Sequence, residues 1–514
     1  MTSDSPEQHV SRTHRSARNA AAGIFAQGVI VLLGFATRTV FIDQLGVELL
    51  GVQTLLLSLL ALATVADLGM GSALMFALYQ PLRDGDHEQS AAIVRYAGRL
   101  YRWVALATVG VGLAALPFLD SLVTLEEPVP NLGLYYLVML ANSALYFPLY
   151  SRTLLLEADQ RSYWIKLVSV GFNVGRSVAQ IAVLLVWGSF LLFLVVQVVS
   201  TVLNNVFVYR YVGRQYPYLS EPADLGPEPR KEVARSVRAM LVYRVSGLAL
   251  NNTDPILISI LVGTLALGYY SNYLLIVGSL VMVLEVAFSA LTPSVGNLVA
   301  SHDQAAMRRV LSEIQLLAVG VYGVSSVLLL VVMQDVIRLW LGASFVLSTA
   351  TLYALVANFY VVGAMSPVAT FRGATGLFRE TRYVLLVTAT LNLLFSVPLG
   401  LIFGLPGVLF ATLAARLLTN VWFEPWVLFR RHLGGGAGQF IVTHVLALVI
   451  FGGCYAACIV LLDAIPGEAW GAVLAGAALA SLLVCAALAS VFGRTAAARS
   501  LSKRAVQMLR RPVS

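Results

Sequence analysis

Apolar residues occur along this chain in long runs separated by short polar or basic segments. Most runs reach the roughly 20 residues that a helix needs to cross a hydrocarbon core. Fourteen such spans are predicted, at about 19–42, 49–79, 100–124, 133–156, 164–187, 188–210, 239–263, 268–299, 314–341, 346–371, 383–404, 405–429, 438–462 and 470–492. The stretches 164–210 and 383–429 are nearly continuous, with breaks only at Gly188 and Pro406, so a count of twelve stays open. The opening segment, Met1–Arg18, is polar and basic and leads straight into the first span, which does not read as a cleavable signal peptide.

Composition agrees with a membrane protein. Of 514 residues, 59% are hydrophobic and 12% charged, against about 25% charged in soluble domains. The net charge of +8 is informative through its distribution. If the amino terminus is cytoplasmic, 30 of the 34 Lys and Arg fall before the first span, beside alternate connections, or in the tail after the last span. The opposite connections carry Asp43, Glu48, Glu126, Glu127, Asp463 and Glu468 instead. This positive-inside pattern predicts a multi-pass protein of a prokaryotic cytoplasmic (inner) membrane with both termini cytoplasmic. Basic residues spread over eight places, not one patch, argue against a nucleic-acid partner. Cys454, Cys458 and Cys485 all lie in late apolar runs and, like the six His, suggest no metal site. The outward connections are too short to fold as domains, which disfavours a membrane glycosyltransferase or polymerase.

The longest inward connection, Gln215–Glu232, contains Pro217, Pro222, Pro227 and Pro229 and reads as a linker. It divides the chain into an N-lobe (1–214, helices 1–6), a linker (215–232), a C-lobe (233–432, helices 7–12), helices 13–14 (433–493) and a basic tail (494–514). The two lobes show a weak internal repeat. Gly46-Val47-Glu48-Leu49-Leu50-Gly51 aligns with Gly263-Thr264-Leu265-Ala266-Leu267-Gly268 at an offset of 217, which also carries Gly188 to Leu405. Six spans is an even number, so the predicted relation is a parallel repeat about an axis along the membrane normal, a transporter architecture. The expected fold is therefore an all-α polytopic membrane protein: about 14 transmembrane helices, in two six-helix lobes plus two C-terminal helices.

Ionisable side chains at membrane depth cost roughly 2.5–3.5 kcal/mol each on insertion scales, so they persist where they pair or face water or ligand. The candidates are Arg38, Asp67, Arg176, Asp254, Glu285 and Arg416. Arg38, Arg176 and Arg416 are candidates for a diphosphate, because a planar guanidinium offers two donors to phosphate oxygens. Asp67, Asp254 and Glu285 are candidates for a coupling H+ or Na+, or for setting the potential of a cavity. Ion pairing within a lobe is the structural alternative. Arg338 and Glu424 fall near span ends and read as snorkelling groups. Asn142, Asn173, Asn251, Asn252, Asn358 and Asn392 read as hydrogen-bonding glue between helices. Two glycines follow Asp67, in Asp67-Leu68-Gly69-Met70-Gly71, and predict a bend or a close packing contact. The tail, with Leu501, Ala505, Met508 and Leu509 among its basic residues, reads as a helix lying on an anionic leaflet.

Three patterns resemble the polysaccharide-transporter branch of the multidrug/oligosaccharidyl-lipid/polysaccharide flippase superfamily over about residues 19–430. The first is Arg38 before Leu45-Gly46-Val47-Glu48-Leu49-Leu50-Gly51, then Asp67-Leu68-Gly69-Met70-Gly71 and Leu78-Tyr79-Gln80-Pro81-Leu82. The second is Asp254-Pro255-Ile256-Leu257 before Gly263 and Gly268-Tyr269-Tyr270. The third is Asn392, then Gly404-Leu405-Pro406-Gly407-Val408-Leu409-Phe410-Ala411-Thr412. The resemblance implies a flippase, not an enzyme, that moves a polyprenyl-diphosphate-linked oligosaccharide by alternating access during cell-surface polysaccharide synthesis. It implies no cofactor. The partners it implies are the lipid-linked oligosaccharide, membrane lipids and other polysaccharide-assembly membrane proteins. Arg38, Asp67 and Asp254 match positions where the family tends to carry charge, whereas Arg176 and Arg416 rest on depth alone. A peptidoglycan lipid II flippase and a cation-coupled multidrug antiporter are the neighbouring alternatives.

Overall fold

A computed structural model describes residues 28–64, 70–125, 129–159, 161–381, 383–462 and 470–510. Among these residues there is no strand, and twelve helices are long and apolar enough to cross a membrane. The protein is an all-α polytopic membrane protein. Helix is the expected solution, since in hydrocarbon each backbone N–H and C=O must find its partner within the segment.

Two compact units divide the chain, Met1–Gly268 and Tyr269–Ser514. The first holds α1 (Gly28–Leu45), α2 (Val47–Ala63), α3 (Met70–Asp84), α4 (His87–Ala115), α5 (Leu119–Leu122), α6 (Leu132–Tyr150), α7 (Thr153–Ala158), α8 (Ser162–Trp187), α9 (Phe190–Gln215), α10 (Pro227–Leu261) and the first turn of α11 (Thr264–Ser289). The second holds the rest of α11, then α12 (Thr292–Ala300), α13 (Gln304–Leu341), α14 (Thr349–Ala364), α15 (Ser366–Thr375), α16 (Phe378–Thr381), α17 (Val384–Phe403), α18 (Leu405–Leu418), α19 (Asn420–Leu428), α20 (Ala437–Leu462), α21 (Trp470–Phe492) and α22 (Ala496–Arg510).

Helix makes up most of the described part of every predicted span. The connections carry the stop and start signals. Gly188, at φ +56°, ends α8, and the Ser189 hydroxyl accepts from Leu192 N to start α9. The Asp86 carboxylate caps α4 at Gln89 N, and Asp303 caps α13 at Ala306 N. Several spans differ in form from the prediction: those over 133–156, 268–299, 346–371 and 405–429 are each divided into two helices, α6 and α7, α11 and α12, α14 and α15, and α18 and α19. The span expected over 49–79 is two helices, α2 and α3, and residues 65–69 between them lie outside the described set. The seventh starts at Pro227, inside the expected linker, because a proline in the first turn forfeits no helical hydrogen bond.

In the first unit α4 packs on α6, α6 on α9, α8 on α9, and α2 on α10. Its core joins Leu74, Leu78, Ile93, Tyr101, Leu154, Leu155 and Val212 to Leu219, Ala223 and Leu225 of the proline-rich connection. That connection is thus docked on the unit. Arg95 donates to the carbonyls of Ala223 and Glu221, and Arg99 and Arg230 both hold Asp224. These two guanidinium groups keep the Asp224 carboxyl below the usual carboxylate range.

The repeated glycine motif has a direct structural counterpart. Gly46 (φ +82°) and Gly263 (φ +116°), paired by the 217-residue offset, both stand just before a helix. A Cβ on Gly51 would fall 1.9 Å from the Thr264 carbonyl oxygen, and one on Gly268 would fall 2.1 Å from that of Val47. Val47 and Thr264 are themselves related by the offset, so the contact is reciprocal, as in a two-fold interface. Nearby, Thr264 Oγ1 donates to the Thr124 carbonyl at 2.8 Å and lies 3.4 Å from a Glu48 carboxylate oxygen.

In the second unit α17 and α18 pack tightly, through Gly407 against the Leu399 carbonyl. Asn392 donates to Thr412 Oγ1 at 2.7 Å, and Thr388 bonds to Thr419 at 2.6 Å. Small residues and interhelical hydrogen bonds are what holds membrane helices together, where lipid supplies no hydrophobic drive between them.

Candidate functional site

The first unit contains a polar cavity of about 480 Å3 at the junction of α6, α8 and α9. Asn142, Ser143 and Tyr146 line it from α6; Ser169, Phe172, Asn173 and Arg176 from α8; and Ser200, Thr201, Asn204 and Asn205 from α9, with Thr64 at one edge. The spacing explains the shared wall. Residues 169, 172, 173 and 176 follow the i, i+3, i+4, i+7 rule of one helix face, and on α9 the pairs 201/204, 200/204 and 201/205 are three or four residues apart. Each helix is predominantly apolar, and these polar side chains share a common space.

Arg176 is the sole charged residue among the lining groups. It is half-buried, and its Nε makes no hydrogen bond. Among the described residues no carboxylate pairs with it. The Asn142 and Asn204 side-chain oxygens are likewise buried without a hydrogen-bond partner. Asn173 donates back to the Ser169 carbonyl at 2.8 Å, and Asn205 lies within 3.4 Å of the Tyr146 carbonyl. A fixed cation, amides and hydroxyls with spare hydrogen-bonding capacity can receive an anionic group and a polyhydroxylated one side by side.

The other predicted site residues distribute as follows. Arg38 on α1 and Asp254 on α10 belong to the first unit, but neither lines this cavity. Both are engaged in polar interactions of their own. Asp67 lies outside the described residues. Glu285 and Arg416 belong to the second unit; Glu285 is exposed on α11 and Arg416 is half-buried on α18. Asn358 and Asn392 act as interhelical glue, Asn358 donating to the Leu409 carbonyl at 2.9 Å. Asn142 and Asn173 instead face the cavity. Arg338 is exposed at the end of α13 and pairs with Asp335, in keeping with an interfacial role. Glu424 corrects the sequence reading. It does not snorkel; its side chain is 4% exposed and pairs with Arg372 of α15 at 2.5 Å, because α15 and α19 pack together there. Asn204, Asn205, Ser169, Ser200 and Thr201 were missed, although their helical spacing inside apolar spans was a readable signal.

No protein-family model matches the sequence, and no curated protein does so either. Solved structures do match. The lipid II flippase MurJ, in an inward closed conformation, aligns with a TM-score of 0.63 at 14% identity, over 92% of this chain and 98% of its own. The chain has the MOP-superfamily fold. An inward-facing multidrug resistance MATE family transporter of the MOP superfamily aligns at TM-score 0.58 and 14% identity, covering 78% of this chain and 96% of its own. The Vibrio cholerae MATE transporter VcmN aligns at 0.56 and 15%, over 82% of this chain and 99% of its own. The match to MurJ thus takes in more of this chain than either MATE match does. The fold is one that carries transporters, and the α6–α8–α9 cavity is a feature of the first unit suited to a polar ligand.

Proposed function

We propose that the protein is a flippase for a polyprenyl-diphosphate-linked oligosaccharide, serving cell-surface polysaccharide synthesis by alternating access. The observation that carries this reading is the cavity around Arg176: a guanidinium with no carboxylate partner among the described residues, available to a diphosphate, ringed by amides and hydroxyls for sugar. A multidrug antiporter taking cations would gain nothing from a lone arginine there. The likeness to MurJ, whose name records a lipid-linked substrate, supports the same class. Lipid II is the second reading, and the same likeness favours it.

In this proposal Arg38, Arg176 and Arg416 engage the diphosphate, while Asp67, Asp254 and Glu285 set the cavity potential or carry a coupling H+ or Na+. The protein sits in a prokaryotic cytoplasmic membrane with both termini and the proline-rich connection inside.

Proteoliposomes loaded with fluorescent lipid-linked oligosaccharide test it. Wild type should translocate the lipid, and Arg176→Gln should lower the rate about tenfold or more, since a hydrogen bond to a charged group is worth roughly 1.5–3 kcal/mol. Arg176→Lys should recover part, a point charge replacing a two-pronged donor. Undiminished transport by folded R176Q would overturn the assignment. Transport of lipid II in place of a polysaccharide repeat unit on the same carrier would select the second reading. Arg-independent transport of cationic dyes would select the antiporter.

A further inference from the structure

A second polar pocket lies in the first unit, apart from the cavity around Arg176. It has a volume of about 290 Å3 and is lined by three arginines: Arg95 and Arg102 from α4, and Arg152 from the turn between α6 and α7. Ser151 and Tyr209 complete its polar wall, and no carboxylate lines it. Arg95 and Arg102 are seven residues apart, two helical turns, and so share a face.

The partners that hold these side chains are neutral. Arg95 reaches the Ala223 and Glu221 carbonyls, Arg102 Nε the Gly98 carbonyl at 3.3 Å, and Arg152 Nη1 the Tyr209 carbonyl at 3.2 Å. Three guanidinium groups therefore share a small space with no carboxylate paired to them among the described residues, an arrangement that repels itself unless an anion joins it. The nearby Asp224 is already held by Arg99 and Arg230.

Arg152 is held in a shaped slot. Its guanidinium carbon lies 3.8 Å from the Tyr209 ring centre. One turn further along α9, a Cβ at Gly213 would come within 2.3 Å of Arg152 Nη1. An aromatic face and a bare glycine thus fix the cation in place, and each guanidinium keeps donors to spare. Trp103, next to Arg102, is 71% exposed, as expected for a tryptophan at headgroup level. Basic pockets between membrane helices at that level suit lipid phosphates.

We propose that the Arg95–Arg102–Arg152 pocket binds the phosphate group of an anionic lipid. Two sources carry that group: a bilayer phospholipid such as phosphatidylglycerol, and the diphosphate of a polyprenyl carrier.

The test uses the full chain, purified and delipidated, with bound lipid counted by native mass spectrometry. Wild type should retain phosphatidylglycerol over phosphatidylcholine. Arg102→Gln combined with Arg152→Gln should weaken phosphatidylglycerol binding about tenfold or more, through the loss of two charge-assisted contacts. Arg309→Gln, an exposed site in the other unit, should leave it unchanged. Arg95 is left intact because it ties down the proline-rich connection. In parallel, a photoactivatable phosphatidylglycerol on wild-type protein should crosslink to peptides containing residues 95–102 or 151–158, a readout that needs no variant to fold. Equal retention of both phospholipids, binding by the double variant within twofold of wild type, or crosslinks confined to other segments would each overturn the proposal. Undecaprenyl diphosphate separates the sources. Displacement of phosphatidylglycerol from the crosslinked peptides assigns the pocket to the carrier, and failure to displace it assigns the pocket to the bilayer.

Discussion

Arg372 and Glu424 lie 13% and 4% exposed in the second unit and meet at 2.5 Å. Taking two charges out of water is costly, and their attraction repays the cost only while both remain. Glu424→Gln should therefore destabilise the protein by about 3–5 kcal/mol by stranding the arginine, and Arg372→Met by a similar amount. The apolar double replacement Arg372→Met with Glu424→Leu should restore most of the loss. Thermal melting in detergent checks all three, and a double variant as weak as the sum of the singles would argue against a simple pair. Arg176 differs in kind, having no such partner among the described residues. The sequence could place all three residues in or near apolar runs, and there its power ended. Which charge pairs and which faces a cavity depends on the neighbouring helix, here α19 against α15 and α9 against α8. For Glu424 a boundary error of a few residues turned a buried group into an interfacial one.

At the scale of elements, the crossing of α2 with the first turn of α11 is set by two glycines whose missing side chains let backbones touch. Gly51→Ala would drive a methyl onto the Thr264 carbonyl, and Gly268→Ala would do the same at Val47. Overpacking of this kind costs about 1–3 kcal/mol. Because both glycines serve one contact, the double variant should cost clearly less than the sum of the two; additive melting shifts would mean that the contacts are independent. The glycine pattern was legible because close approach and positive φ both demand that residue, and they recur at one offset. The polar faces of α8 and α9 were legible in principle too, through their three- and four-residue spacing. Low mean polarity hid them, since Ser169 or Thr201 in an apolar span alters its hydropathy very little. Gly69 and Gly71 predicted a bend or a close packing contact. Gly71 falls inside α3, facing Tyr101 and Leu154, while Gly69 lies outside the described residues. The early start of α10 was obscured by prolines that a first helical turn accepts.

For the whole molecule, the strongest remaining expectation is orientation, and the first unit supplies the argument for it. The connections after α3, α7 and α9, which the charge count assigns to the cytoplasm, are brought together in space: α4 arginines bind the segment 221–224, and Arg152 lies over α9 at Tyr209. The connections assigned outward also converge, with Thr264 N donating to the Thr124 carbonyl at 3.1 Å and the Ser259 hydroxyl donating to Leu122 at 2.9 Å. One end of the unit is thus arginine-rich, and the end around Glu48 has no basic residue among these contacts. Translocating the arginine-rich end would mean carrying Arg95, Arg99, Arg102, Arg152 and Arg230 across the bilayer, against the bias that fixes topology in short loops. Reporter fusions after Pro222 and at Ser514 should therefore signal the cytoplasm, and cysteines at Asp43 or Thr124 should react with a membrane-impermeant thiol reagent from outside intact cells. An outside signal at Pro222 would invert the unit and, with it, the leaflet that the arginine pocket faces. A Ser514 signal opposite to that at Pro222 would instead require an odd number of crossings after α9, leaving the orientation of the first unit intact.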